Sequence, residues 1–204
     1  MKTLRLPFFL LLCLGVLAWT GCGNDDEDLP VINQVETLNY DGPNVTAPLT
    51  SASVLAAYFP PNQVAPFRGR TLEAVEFVLA ELPPETRVVV YEEGDTQTEP
   101  GAVLYESPVL NGRIQNAIGL GNFLTHRLST PIELGDRGVW LGISTGIQPN
   151  SSITLQTVGC DAEGNGVEDG DWMLLDGQWI SFFAFTGETV AINWNIRGVL
   201  SPAQ

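Results

Sequence analysis

Lysine is almost missing from this chain. Lys2 is its one example, and nine basic residues in all face 24 Asp and Glu, for a formal charge of −15. With no Lys beyond position 2, neither a Schiff base nor a Lys-assisted phosphate site is available to the folded part. A charge of this sign also makes nucleic acid and anionic lipid surfaces poor partners. Histidine occurs once, at His126, beside Arg127 and with no nucleophile motif near it, which reads as a structural or surface residue rather than a general base. No Gly-rich loop follows a strand and opens a helix, and no pattern singles out two of the 24 acids for glycosidase chemistry. These absences argue against an enzyme, and no cofactor is required by the sequence. Cysteine is scarce as well: only Cys13, Cys22 and Cys160 occur.

Leu17 to Pro30 is the stretch on which the remaining reading turns. Lys2 and Arg5 supply positive charge, Leu6 to Leu17 an apolar run, and Thr20-Gly21 small residues before Cys22. That is the layout of an export signal, with an apolar run too short for a comfortable membrane span and the charges placed to stay cytoplasmic. Small residues ending in Cys resemble the bacterial lipobox, in which the Cys is acylated and becomes the mature N-terminus. Trp19 stands where that motif usually has Leu. Cys13 follows Leu12, too bulky for the cleavage pocket, so Cys22 is the expected lipidation site. The resemblance implies palmitate-type acyl chains on Cys22 as the tie to the lipid bilayer, each buried CH₂ contributing about 0.8 kcal/mol.

Gly23-Asn-Asp-Asp-Glu-Asp28 then reads as a solvated, self-repelling tether. Acid just after the lipidated Cys also resembles the surface-export signal of Bacteroidota-type lipoproteins. The expected organisation is a signal peptide at 1–21, a lipidated Cys and acidic tether at 22–30, and one β-domain at 31–204. The expected place is the cell envelope, at the outer membrane and facing outward. With Cys22 acylated, Cys160 has no partner for an intramolecular disulfide and reads as a small buried apolar residue.

The rest reads as strands and turns. Val31 to Tyr40 ends at Asp41-Gly42-Pro43, and Ser53 to Phe59 stops at Pro60-Pro61. Leu72 to Leu82 fits helix and strand spacing alike, and strand is preferred. Arg87 to Tyr91 is β-rich and runs into Glu92-Glu-Gly-Asp95, read as a turn. Leu104 to Leu110, Phe123 to Leu128, Val139 to Thr145 and Ile153 to Val158 follow. Trp172-Met-Leu-Leu-Asp-Gly-Gln-Trp179 carries the Asp-Gly hairpin signal. Its register places Leu174 opposite Trp179 and Trp172 opposite Ser181, so Trp172, Leu174 and Trp179 share a face. Val190 to Leu200 alternates, with Val190, Ile192, Trp194 and Ile196 toward a core and Ala191, Asn193, Asn195 and Arg197 toward water. About ten short strands without a convincing helix predict an all-β fold, a single jelly-roll β-sandwich.

Several phrases occur in order: Asn39-Tyr-Asp-Gly42, Leu72-Glu-Ala-Val-Glu-Phe77, Val88-Val-Val-Tyr91, Pro100-Gly-Ala-Val-Leu104, Pro131-Ile-Glu-Leu134, Val139-Trp-Leu-Gly-Ile143 and Trp194-Asn-Ile-Arg-Gly198. Together, over roughly residues 36 to 200, they resemble the jelly-roll domains of secreted and surface proteins of Bacteroidota, including those similar to the cleaved-adhesin domain. The resemblance implies a non-catalytic accessory or adhesion module, in a family where some members are calcium-stabilised or suspected of binding glycans.

Two constellations are candidates for binding. In the acidic loop, Asp161, Glu163, Asn165, Glu168, Asp169 and Asp171 offer oxygen ligands with glycines between them, as a calcium-wrapping loop does. The first half matches an EF-hand loop, but Trp172 stands where the bidentate Glu belongs and no helices flank it. A solvated acidic loop is the alternative. The second candidate is aromatic: Trp172 and Trp179 on one hairpin face, with Trp140 between Gly138 and Gly142, offer flat apolar platforms for sugar rings. The alternative is that the hairpin tryptophans seal the core, with Leu174 between them. Trp194 reads as core. The expected function is therefore a surface lipoprotein acting as a non-catalytic binding or adhesion module, with glycan as the candidate ligand; the alternatives are a structural or assembly subunit on an envelope protein and, less favoured, a glycoside hydrolase.

Overall fold

Val54-Leu-Ala-Ala-Tyr-Phe59 and Val139-Trp-Leu-Gly-Ile143 contain no polar break, and strands of that kind need both faces covered. The computed structural model describes residues 36–40, 42, 46–119, 121–161 and 169–203, all within one unit, Asn33–Gln204. Its strands are β1 (Thr37–Leu38), β2 (Val54–Phe59), β3 (Thr71–Val78), β4 (Arg87–Thr96), β5 (Glu99–Pro108), β6 (Phe123–Glu133), β7 (Val139–Ser144), β8 (Cys160–Asp161), β9 (Trp172–Leu175), β10 (Gln178–Ser181), β11 (Asn193–Trp194) and β12 (Ile196–Leu200). Three single-turn helices interrupt them: α1 (Pro61–Val64), α2 (Asn111–Ile114) and α3 (Phe182–Phe185). None of the described helices is long and apolar enough to cross a membrane.

The fold is an all-β sandwich. One sheet has the order β1-β12-β3-β6, the other β10-β9-β2-β7-β4-β5, and a short ribbon pairs β11 with β8. All pairings are antiparallel. With residues 145–195 set aside, the chain changes sheet at every step except the β4–β5 hairpin. The remaining strands stand in the orders β1-β12-β3-β6 and β2-β7-β4-β5, and the connection between β7 and β12 carries the hairpin β9–β10.

Between the sheets, Leu55, Phe59, Val90 and Leu141 of the larger one meet Leu72, Phe77, Leu124 and Ile196 of the smaller, in a single hydrophobic core. The two sheets differ in their outer faces. β6 alternates buried and exposed residues, as a strand with one wet face does, whereas β2 is buried at all six positions.

Several expectations need correcting. Glu92 to Asp95 is strand rather than turn: the β4–β5 ladder absorbs these residues in successive register shifts, and the chain reverses after Thr96. Ile153 to Val158 makes only isolated bridges, Leu155 with Thr50 and Val158 with Leu79. Val190 is exposed and outside any strand, and Asn193 and Asn195 are buried, not in water, because the β8 segment closes over β11 and donates and accepts there. By contrast, the Trp172–Trp179 hairpin has the expected register at every pair, with Asp176 and Gly177 both at positive φ (50° and 83°), as a tight two-residue turn requires. Leu72 onward is strand, β3. Trp194 and Cys160 are fully buried, and burial, with Asp161 adding, pushes the Cys160 thiol up to about 12. The signal, tether and Cys22 lie outside the described residues.

β5 and β6 are edge strands of opposite sheets, and His126 of β6 bridges them: its Nε2 lies 3.1 Å from Tyr105 Oη, while its buried Nδ1 has no hydrogen-bond partner. Burial, and then the Arg113 guanidinium, lower the His126 pKa from its ordinary 6.5. A lowered value means that the unfolded chain takes up the proton first. Stability from this group is therefore full above about pH 6.5 and falls as pH drops toward the folded value. The melting temperature should fall between about pH 7.5 and pH 5. Thermal melts of His126→Gln should lose that component; an unchanged slope would show that the seam does not sense the proton.

Candidate functional site

The outer face of the larger sheet carries a second apolar cluster, separate from the core. β2 contributes Ala56 and Tyr58, β7 Trp140 and β9 Trp172, with Trp179 of β10 and Tyr91 of β4 packed against them. Register explains the assembly. Tyr58, Trp140 and Tyr91 are direct cross-strand partners in three adjacent strands, and Trp172 is opposite Ala56. Direct partners on one face stand close enough for ring contact. Tyr58 stacks on Trp140 with centroids 4.8 Å apart, and Trp140 lies 5.4 Å from both Trp172 and Trp179. Tyr91 meets Trp179 edge-on at 6.0 Å.

The three tryptophans singled out from the sequence are thus brought together. Trp172 and Trp179 do share a hairpin face, but that face is not the one that seals the sandwich. Met173, on the opposite face, enters the core with Leu175 and Ile180. Sequence reasoning missed Tyr58, Tyr91 and Glu93. The signal was present in the unbroken apolar run of β2, which announces a covered outer face.

Exposure grades across the cluster. Trp140 and Tyr58 are 0% exposed and Trp172 8%, while Trp179 and Tyr91 are half-buried and form the open rim. Glu93 fixes the far end: its carboxylate accepts the Tyr58 hydroxyl at 2.6 Å and the Gly138 N–H at 3.1 Å. Arg137 holds this strand end by donating to the Glu92 carboxylate at 3.0 Å and to the Glu93 carbonyl. Burial, then the Glu93 hydrogen bond, raise the Tyr58 pKa, and burial followed by Glu106 raises that of Tyr91 to about 12, so both phenols remain neutral donors. The indole N–H groups of Trp140 and Trp172 are buried with no acceptor. The cluster is therefore apolar, uncharged over its rings and supplied with two unused donors. It can hold a flat, neutral ligand; it contains no nucleophile–base pair.

The acidic constellation is placed differently. Glu163, Asn165 and Glu168 lie outside the described residues. Asp161 accepts the Gly42 N–H at 2.6 Å, Asp169 offers its carbonyl to Tyr58 N at 2.8 Å, and the Asp171 carboxylate accepts Phe183 N at 2.8 Å at the start of α3. Each thus has a use in tying a loop to the sandwich. Among the described residues no group of three or more His, Cys, Asp and Glu is arranged to hold a metal.

No family model and no curated protein matches the chain, so the likeness to Bacteroidota and lipoprotein sequences finds no support at the level of sequence. Solved structures do. One is the crystal structure of the cysteine protease and lectin-like domains of Cwp84, a surface layer associated protein of Clostridium difficile, with a TM-score of 0.47 and 9% identity over 76% of this chain and 33% of that one. Another is the clostridial cysteine protease Cwp84 after propeptide cleavage, with a TM-score of 0.50 and 11% identity over 82% of this chain and 40% of that one. The chain spans well under half the length of either. At such identity the likeness is one of fold.

The geometry around Gly138 gives a test of the cluster's packing. A Cβ there would come within 2.7 Å of Tyr58 Cε2 and 2.8 Å of the Phe59 carbonyl oxygen. Gly138→Ala should therefore destabilise the chain by about 1–3 kcal/mol, read from denaturant midpoints. Gly135→Ala, where a Cβ meets nothing within 4 Å, is the control and should stay within about 0.5 kcal/mol.

Proposed function

We propose that this chain is a non-catalytic, surface-associated binding module that takes glycan on the aromatic face of its larger sheet. The observation that carries the reading is the graded aromatic cluster, in which buried Trp140 and Trp172 support the half-open rings of Trp179 and Tyr91. Flat aromatic rings presented on a β-sheet suit the apolar faces of pyranoses. Cwp84, to part of which the fold is similar, is described as having a lectin-like domain and as surface layer associated, which accords with the reading without carrying it.

Trp179 is the residue that separates binding from folding. Trp179→Ala in the full-length chain should weaken retention on immobilised polysaccharide by about tenfold, equivalent to about 1.4 kcal/mol, while leaving the melting temperature within a few degrees. Trp140→Ala should instead cost about 3–5 kcal/mol of stability, as removal of a fully buried aromatic does. A parent protein retained by no polysaccharide, or a Trp179→Ala variant retained as well as the parent, would remove the reading.

The proposed tie to the envelope is acylation at Cys22. The chain made in a bacterial host should enter the detergent phase on phase separation, and Cys22→Ser should move it to the aqueous phase. Equal partitioning of the two would exclude the anchor. A second reading, docking on an envelope protein, is favoured by one patch: Phe183, Phe185 and Val190 around α3 are 40%, 51% and 42% exposed.

A further inference from the structure

The hydrogen-bonding character of the aromatic cluster narrows the ligand, and the inference rests on the glycan reading above. The Trp140 and Trp172 indole N–H groups are buried without partners, on rings 5.4 Å apart, and an indole nitrogen donates only. The neighbouring acceptor, the Glu93 carboxylate, already takes the Tyr58 hydroxyl and the Gly138 N–H. A sugar hydroxyl that accepts from these donors also needs an acceptor for its own hydrogen, and where it finds none the cost is about 1–3 kcal/mol. A carboxylate or sulfate would meet Glu93 and a chain of formal charge −15. An acetamido carbonyl oxygen carries no hydrogen of its own: its two lone pairs suit two donors, the amide N–H stays on the sugar side of the group, and the attached methyl group fills apolar space against the rings.

We infer that the cluster selects glycans bearing acetamido groups, neutral N-acetylhexosamine polymers, with the acetyl carbonyl oxygen accepting from Trp140 and Trp172 and the pyranose lying on Trp179 and Tyr91. Trp179 is the ring that yields to admit the acetyl group. It sits on the four-residue edge strand β10, at the end of its sheet and half-buried, 5.4 Å from Trp140. The two donors then acquire the acceptor that the free protein does not give them.

The test uses calorimetric titration of the full-length chain in detergent with chitopentaose and cellopentaose, which differ in the acetamido group at each sugar. Chitopentaose should bind about tenfold tighter, the size expected when a buried donor gains or lacks its acceptor. Trp172→Phe and Trp140→Phe keep a ring and remove the N–H, and each should bring the two affinities within about twofold. Trp179→Phe keeps both buried donors and should preserve the preference. Equal binding of the two oligosaccharides by the parent would overturn the acetamido inference while leaving the glycan reading standing; binding of neither would overturn both. The comparison of the two ligands on the parent is decisive even where a Phe variant fails to fold.

Discussion

Strands β2 and β7 must be covered on both faces, and most of the molecule follows from that constraint. Their runs, Val54–Phe59 and Val139–Ser144, offer no polar residue to water until Ser144, so a two-layer sandwich that buries one face leaves the other in need of a lid. The inner face is met by the smaller sheet. The outer face is met by aromatic rings arising from the larger sheet itself and from the hairpin β9–β10, which lies along β2 through the pairs Val54–Leu174, Leu55–Met173 and Ala56–Trp172. The hairpin therefore serves two layers at once: Met173 goes to the core and Trp172 to the outer cluster. The alternation of a β-strand is what makes this double use available.

This explains why the enlarged connection between β7 and β12 is anchored so thoroughly. Asp171 accepts from the first N–H groups of α3 through both its carboxylate and its carbonyl. The Trp194 indole donates to the Trp172 carbonyl at 3.0 Å, which joins the last strands of the chain to the hairpin. Asp169 and Tyr40 both bond the backbone of Tyr58, at 2.8 and 2.7 Å. Of the acidic residues that read as a cation loop from spacing, the described ones also make loop-to-sheet ties, Asp161 and Asp171 through their carboxylates and Asp169 through its backbone carbonyl. A carboxylate that accepts backbone N–H groups and one that waits for a metal have the same sequence signature, and only the fold distinguishes them.

Local chemistry was legible in the sequence, and long-range pairing was not. Asp176-Gly177 specifies its turn within four residues, so the hairpin register could be read in full. The Pro-Pro stop after Phe59 was equally local. The end of β4 was misread because Glu92 to Asp95 has turn composition, and the bulged ladder with β5 overrides it. Asn193 and Asn195 were misread because their burial comes from residues more than 30 positions earlier in the chain. At the aromatic site, Trp140, Trp172 and Trp179 could be named but their meeting could not, since it depends on β7 and β9 flanking β2, a fact of topology. Tyr58 and Tyr91 needed that topology before they could be named at all.

A chain with so large an excess of acid has reason to keep the face proposed for binding neutral. Charged ligands of either sign would be governed by the whole surface, attracted or repelled at long range with little regard to shape and with strong dependence on salt. An aromatic face discriminates at contact instead, through ring area and the few polar atoms at its edge. Here the polar atom that most affects those rings, Glu93, is spent inward on Tyr58 and Gly138, which leaves the cluster uncharged and rich in donors. The same carboxylate holds Tyr58 against Trp140 and fixes the start of β7 through the Gly138 N–H. The packing of the aromatic face is in this way tied to one carboxylate at its edge.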